Sequence, residues 1–237
     1  MRSVLAILGI AVVAIIVSIV VQGSKKLSPS PQDDAARIKE AEQQAAWKKA
    51  DSAQRAQERG QMRDFNPPRE GVRVVVMAVA GKGEMTFELY PKAAPKTVEH
   101  FLKLATSGFY SGVKFHRVEK GFVVQAGDPE TRQMSTAELA GISDQQKAAL
   151  GIGAGGSGSP IPFETNALSH IRGSLAMALN SPRSATGDSQ FFVNLKDNVG
   201  LNGDYCVFGK VVKGLEVVDK IAQGDAITGI KVQAGGQ

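Results

Sequence analysis

From Val72 onward the sequence alternates with a period of two, and that alternation restricts what this chain can fold into more than any other feature. Glu84 to Tyr90 sets Met85, Phe87 and Leu89 against Glu84, Thr86 and Glu88. Successive side chains of a strand point to opposite faces, so the pattern describes a strand with one buried face and one wet one. Val72 to Ala80 is β-branched and apolar, and Gly81-Lys82-Gly83 supplies a turn, so the two are expected as an antiparallel hairpin. Further strands are expected over Gly173–Leu179, Gln190–Leu195, Tyr205–Val212 and Ile227–Val232. Two stretches have helical character instead. Pro95 opens one, with Val98, Phe101, Leu102 and Ala105 at i, i+3, i+4 and i+7 and Gly108 to close it. Leu215 to Ala222, stopped by Gly224, is the other. Many short strands with two helices exclude a doubly wound α/β sheet and leave a mainly β barrel or sandwich.

Before this region the pattern is different. Val4 to Val21 is an unbroken apolar run with Ser18 its only polar side chain. At about 1.5 Å per residue it nearly spans a hydrocarbon core about 30 Å thick, so residues 1–24 are expected as a transmembrane anchor. A cleaved signal peptide is the competing reading, but its apolar part is normally about 7 to 15 residues long, and no Ala-x-Ala follows here. Residues 25–70 form a polar stalk rich in Ala, Gln, Lys and Glu, good helix formers with few large apolar residues beyond Ile38 and Trp47. It reads as a solvated helical or partly disordered spacer. Asn66-Pro67-Pro68 ends any helix, because a residue before proline is pushed out of the α region. Residues 71–237 are then the globular domain, with an insertion at about 130–160.

Several chemistries are excluded. The formal charge of +5 comes without a basic stripe interleaved with aromatics, so nucleic acid is not an expected partner. Cys206 is the only cysteine, which rules out an intrachain disulfide and a thiolate metal site. Gly151, Gly153 and Gly156 satisfy G-x-G-x-x-G literally, but no strand precedes the run and no helix follows it, so it reads as a flexible segment. His100, His116 and His170 have no zinc-binding spacing, and His116 is expected as a hydrogen-bonded structural residue. Ser189 has Phe191 where a nucleophile elbow needs glycine.

What remains is the stretch from Phe115 to Pro129. It reads as two strands joined at Glu119-Lys120-Gly121, carrying Arg117 on the first and Phe122 and Gln125 on the second. A cation, a ring and an amide on paired strands make either a surface suited to an uncharged peptide or only a core hairpin, and the rest of the chain decides between them.

The sequence resembles the cyclophilins, the cyclosporin-binding family of peptidyl-prolyl cis/trans isomerases. The resemblance runs from about Val72 to Val232. It rests on Ala94-Pro95-Lys96-Thr97-Val98, Phe115-His116-Arg117-Val118, Gly121-Phe122-Val123-Val124-Gln125-Ala126-Gly127-Asp128, Gly173-Ser174-Leu175-Ala176-Met177-Ala178, Ser189-Gln190-Phe191-Phe192 and Val207-Phe208-Gly209-Lys210-Val211, in order. It implies a closed eight-stranded antiparallel β-barrel capped by two α-helices. It also implies rotation of X-Pro bonds in Pro-containing polypeptides, without a cofactor. Carried over by position, the family's catalytic residue is Arg117, its proline pocket is Phe122, Val123, Phe192 and Leu201, and its substrate-binding residues include Gln125, Ala178 and Leu179. Tyr205 stands where animal members have His. A cyclosporin-type ligand is implied too, but Gly200 stands where the family usually has Trp or Phe, so one wall of that pocket is missing. A rival reading of the same groove is a tethered chaperone or scaffold that binds proline peptides with little catalysis; such a binder has no need of the cation. Counting Lys and Arg around the apolar run keeps the domain in the cytoplasm. The wording Ser184-Ala185-Thr186, Gln190-Phe191-Phe192-Val193-Asn194 and Tyr205-Cys206-Val207-Phe208 looks like the bacterial branch of the family, whose members often work outside the cytoplasm, and so favours a periplasmic or other extracytoplasmic domain.

Overall fold

The computed structural model describes residues 31–61 and 65–233. The first of these segments is one helix, α1 (Pro31–Gln61), on which Ile38 and Trp47 are exposed. Among the described residues no helix is long and apolar enough to cross a membrane. The expected anchor at residues 4–21 lies outside the described residues.

The rest is built on eight antiparallel strands. These are β1 (Arg73–Val79), β2 (Gly83–Leu89), β3 (Arg117–Glu119), β4 (Val123–Ala126), β5 (Ser174–Met177), β6 (Phe191–Asn194), β7 (Val207–Lys213) and β8 (Ile227–Val232). Their order in the sheet is β3-β4-β6-β5-β7-β2-β1-β8. The alternation in β2 is realised as expected: Met85, Phe87 and Leu89 are completely buried, facing Val75 and Met77 of β1 in the core. Helix α2 (Pro95–Thr106) covers this core with Val98, Phe101 and Ala105, and Phe101 packs against the rings of Tyr110, Phe191 and Phe208. Its first residues find no cap at Ala94. The Glu164 carboxylate, far along the chain, accepts from the Lys96 and Thr97 amides at 3.0 and 2.7 Å instead. Those amides are the orphan donors of a helix N-terminus.

Three expectations change. The barrel is not a fully closed ladder, because β3 and β8 do not pair. The chain bends before β3, so the seam is made earlier, by a bridge between Lys114 and Ala226 and by backbone bonds of Val113 and Phe115 to residues 224–227. The helices exceed the two expected to cap the barrel: the insertion, whose first half Ser135–Leu150 has the composition for short helical turns, holds α3 (Thr136–Gly141) and α4 (Asp144–Ala149), each opened by a capping box, Ser135 with Glu138 and Ser143 with Gln146. The expected helix from Leu215 is short, α5 (Leu215–Val218), and tightens into i→i+3 turns through Ile221.

The glycine run is also not a loose tether. Asp128 accepts from the amides of Gly153 and Gly155, and Asp188 accepts from Ser157, Gly158 and Ser159. Two buried or half-buried carboxylates thus gather the run's amides, which composition alone could not foresee.

Candidate functional site

Strand pairing assembles the site. Arg117 on β3 lies directly across from Gln125 on β4, and Gln125 lies across from Phe192 on β6. Residues directly opposite in a ladder project to the same face. One face of three short strands therefore carries the cation, the amide and the ring together. Phe122 sits in the turn between β3 and β4, where its carbonyl accepts from the Leu195 amide at 2.8 Å and the Asn198 side chain at 3.0 Å. Leu201 comes from a 3-10 turn, Val199–Leu201, and Ala178 and Leu179 follow β5.

All nine residues expected from the sequence line one cleft of about 220 Å³: Arg117, Phe122, Val123, Gln125, Ala178, Leu179, Phe192, Leu201 and Tyr205. Its floor is apolar, with Val123 and Phe192 almost fully buried. A Cβ added at Gly200 would meet nothing within 4 Å, so that edge is open.

Arg117 is half-exposed, and its guanidinium carbon stands 5.7 Å from the centre of the Phe122 ring. Nε and one terminal nitrogen donate to Glu119 at 2.8 and 2.5 Å, while the other terminal nitrogen reaches Gln125 Oε1 only at 3.4 Å. Gln125 in turn donates to Gln190 at 2.9 Å, and Gln190 donates to the carbonyls of Gly153 and Gly155. Thus one terminal nitrogen of the fork is only loosely held.

Beneath the cleft lies a polar network that the sequence reading missed. His170 is completely buried and stacks on Phe192, with ring centroids 5.7 Å apart and planes 13° from parallel. Tyr205 meets Phe192 edge-on at the same separation. The Asn194 amide donates to His170 Nδ1 at 3.2 Å, which puts the ring proton on Nε2, where it is donated to the Tyr205 carbonyl at 3.2 Å. Asn198 donates to Asn194, and the Asn202 carbonyl accepts from the His170 amide. Burial draws the His170 imidazole down to about 4, so it is neutral at pH 7. The spacing of Asn194, Asn198 and Asn202 by fours was the one signal available, and it does not point to His170.

His116 is buried, and its ring nitrogens have no protein hydrogen-bond partner, contrary to the hydrogen-bonded role foreseen for it. The glycine run passes close to the ring edge: a Cβ added at Gly153 would lie 3.7 Å from His116 Cδ2 and Nε2. Burial brings it down to about 4, with the Asp128 carboxylate opposing the shift. Among the described residues no cluster of three or more His, Cys, Asp or Glu is placed to hold a metal ion.

Comparison with known proteins gives a consistent result. Residues 74–234 match the family model for cyclophilin type peptidyl-prolyl cis-trans isomerases. Peptidyl-prolyl cis-trans isomerase B of Bacillus subtilis is 39% identical over 150 residues, covering 63% of this chain and 91% of that protein. A peptidyl-prolyl cis-trans isomerase of Helicobacter pylori is 41% identical over 153 residues, covering 63% and 80%. Among solved structures, a cyclophilin type isomerase of Cryptosporidium parvum superposes with a TM-score of 0.56 at 28% identity, over 70% of this chain and 99% of that one. The structure of the same isomerase in the presence of the dipeptide Ala-Pro gives a TM-score of 0.53 over 68% of this chain and 99% of that one, also at 28% identity.

Proposed function

This chain belongs to the cyclophilin-type peptidyl-prolyl cis-trans isomerase family, and on that premise we propose that its cleft rotates X-Pro bonds with Arg117 as the catalytic cation. The activity is peptidyl-prolyl cis-trans isomerisation. The observation that carries the assignment of roles is the convergence of a half-free guanidinium, an amide and an apolar floor on one cleft.

Twisting a peptide bond forfeits amide resonance, a barrier of about 18–20 kcal/mol. For X-Pro the isomers differ by only about 0.5–1 kcal/mol, so a catalyst need only favour the twisted state. Phe122, Val123, Phe192 and Leu201 hold the prolyl ring still while the preceding carbonyl swings. As the amide leaves planarity, its nitrogen regains a lone pair and becomes an acceptor. Arg117 donates to it with the nitrogen that faces Gln125, an interaction absent from either planar isomer. Glu119 fixes the rest of the fork. Gln125, Ala178, Leu179 and Tyr205 position the substrate backbone.

The same reading makes residues 4–21 a single-pass anchor and residues 25–70 the spacer of a domain on the extracytoplasmic side. The length and unbroken apolar character of the run support the anchor; the outward side rests on the bacterial look of the motifs, against the Lys and Arg count. With Ser52→Cys introduced in a Cys206→Ser background, a membrane-impermeant thiol reagent labels intact cells; labelling only after permeabilisation overturns the outward placement.

The catalytic reading is tested by exchange NMR of short Ala-Pro peptides with the full chain in mild detergent. Acceleration of the uncatalysed exchange, which takes tens to hundreds of seconds, is expected. Binding of the peptides without acceleration would make the groove a binding module and overturn it.

A further inference from the structure

Among the described residues β3 is an edge strand, paired with β4 alone, and Arg117 is its first residue. A strand paired on one side leaves backbone groups on the other side in need of partners. Just before β3 the chain is held across the seam: the Phe115 amide donates to the Asp225 carbonyl, and the Phe115 carbonyl accepts from the Gly224 amide.

The next carbonyl, that of His116, is taken by a side chain of the insertion. Lys147 of α4 donates to it at 2.9 Å. The same ammonium donates to Gln223 Oε1 at 3.0 Å and pairs with Asp144 at 2.6 Å, so its three donors are all used. Lys147 is buried, and a charge in that position is tolerated only because it is matched. The base from which it reaches is itself tied down. Gln223 donates to the carbonyls of Leu139 and Ile142, before Lys147, and Asp128 accepts from the amides of Gly153 and Gly155, after it.

This contact bears on Arg117 through one peptide plane. The His116 carbonyl, the Arg117 amide and the Arg117 Cα are coplanar, so a bond to that oxygen sets the direction in which the Arg117 side chain leaves the backbone. Glu119 orients the guanidinium at its tip, but it stands on the same strand and moves with it. The Gln125 contact, at 3.4 Å, is loose.

We propose that Lys147 is a positioning residue for the isomerisation, holding the peptide plane before Arg117 so that the guanidinium meets the twisted amide. The inference rests on the isomerase reading with Arg117 as its cation. Lys147 does not line the proline cleft, and it acts only through Arg117.

The test uses the full chain in mild detergent and exchange NMR of a short Ala-Pro peptide, with the peptide Kd measured alongside. Lys147→Met keeps the carbon stem and removes the donors. Its kcat is expected to fall about tenfold, short of the roughly 10²-fold that a misplacement of about 1 Å costs, with Kd unchanged. Glu164→Ala, which loosens the start of α2 and leaves β3 alone, is expected to keep the unmutated kcat. In an Arg117→Ala background, Lys147→Met is expected to lower kcat no further, as a residue working through Arg117 must. Lys147→Gln, uncharged and one bond shorter, is expected to match Lys147→Met and replaces it if that variant fails to fold. Unchanged kcat in the variant that folds, an equal fall in Glu164→Ala, or a further fall in the Arg117→Ala background overturns the positioning role and leaves the isomerase reading intact. An unmutated chain inert towards the peptide, or Arg117→Ala with undiminished kcat, overturns the reading beneath it as well.

Discussion

Acidification is expected to loosen the barrel well before its carboxylates titrate, because two imidazoles are buried in neutral form. His116 and His170 both stand at about 4 in the folded protein, against about 6.5 in the unfolded chain. Above pH 6.5 neither state is protonated and the two residues cost nothing. As pH falls from about 6.5 towards 4 the unfolded chain takes up protons that the folded one refuses, so stability falls; below 4 both states are charged and the slope ends. At pH 5 the linkage amounts to about 2 kcal/mol per histidine, or about 4 kcal/mol for the pair. For a domain of this size that lowers Tm by about 8–16 °C relative to pH 7. Urea unfolding followed by near-ultraviolet circular dichroism at pH 7, 6 and 5 measures it. His170→Gln and His116→Leu are each expected to halve the loss between pH 7 and 5. His100, beside Asp188, is present in every variant, so the difference between slopes isolates the residue replaced. A stability that stays flat between pH 7 and 5, or a slope that neither substitution alters, would refute the reasoning.

Three further outcomes follow from particular contacts. Gly127 has φ +110, and a Cβ there would lie 2.3 Å from the Ser189 carbonyl oxygen, so Gly127→Ala is expected to cost about 3 kcal/mol or more by urea unfolding; wild-type stability would contradict the tight approach of β4 to the residues before β6. Glu164→Ala removes the acceptor for two amides and the Thr97 hydroxyl at the start of α2, and a loss of about 1–2 kcal/mol is expected in the same assay. Burial pushes the Cys206 thiol up to about 12, so native protein at pH 8 is expected to resist iodoacetamide while urea-unfolded protein reacts; rapid native alkylation, read by mass spectrometry, would contradict this.

How much could be read from residues alone depended on whether a pattern was local. The β1–β2 hairpin was legible because one face of each strand is buried, which writes a period of two into the sequence. Helix α2 was legible from its apolar spacing, but its cap was not, since Glu164 is 67 residues from Thr97. The cleft residues came from motif order, and their meeting depends on the β3-β4-β6 pairing, which no periodicity states. The support beneath them, His170 with Asn194, Asn198 and Asn202, joins a loop to a strand end and a 3-10 turn. In the sequence, each of those residues alone looks like an ordinary solvent-facing polar side chain. The glycine run misled because flexibility was judged from composition, whereas order there comes from Asp128 and Asp188 collecting its amides. The two capping boxes that open the insertion helices stand in the sequence without having been read there, and nothing local to Lys147 says that its ammonium closes on the carbonyl before Arg117.

The central claim is that Arg117 acts on the twisted amide and not on the bound ground state. The direct measurement is cis/trans exchange of an Ala-Pro peptide by wild-type protein and by Arg117→Ala, with the peptide Kd determined alongside. A fall in kcat of about 10²–10³-fold is expected, the usual worth of one donor aimed at a transition state, with Kd changed only a few-fold. Unchanged kcat in Arg117→Ala, or a loss wholly accounted for by weaker binding, would contradict the account.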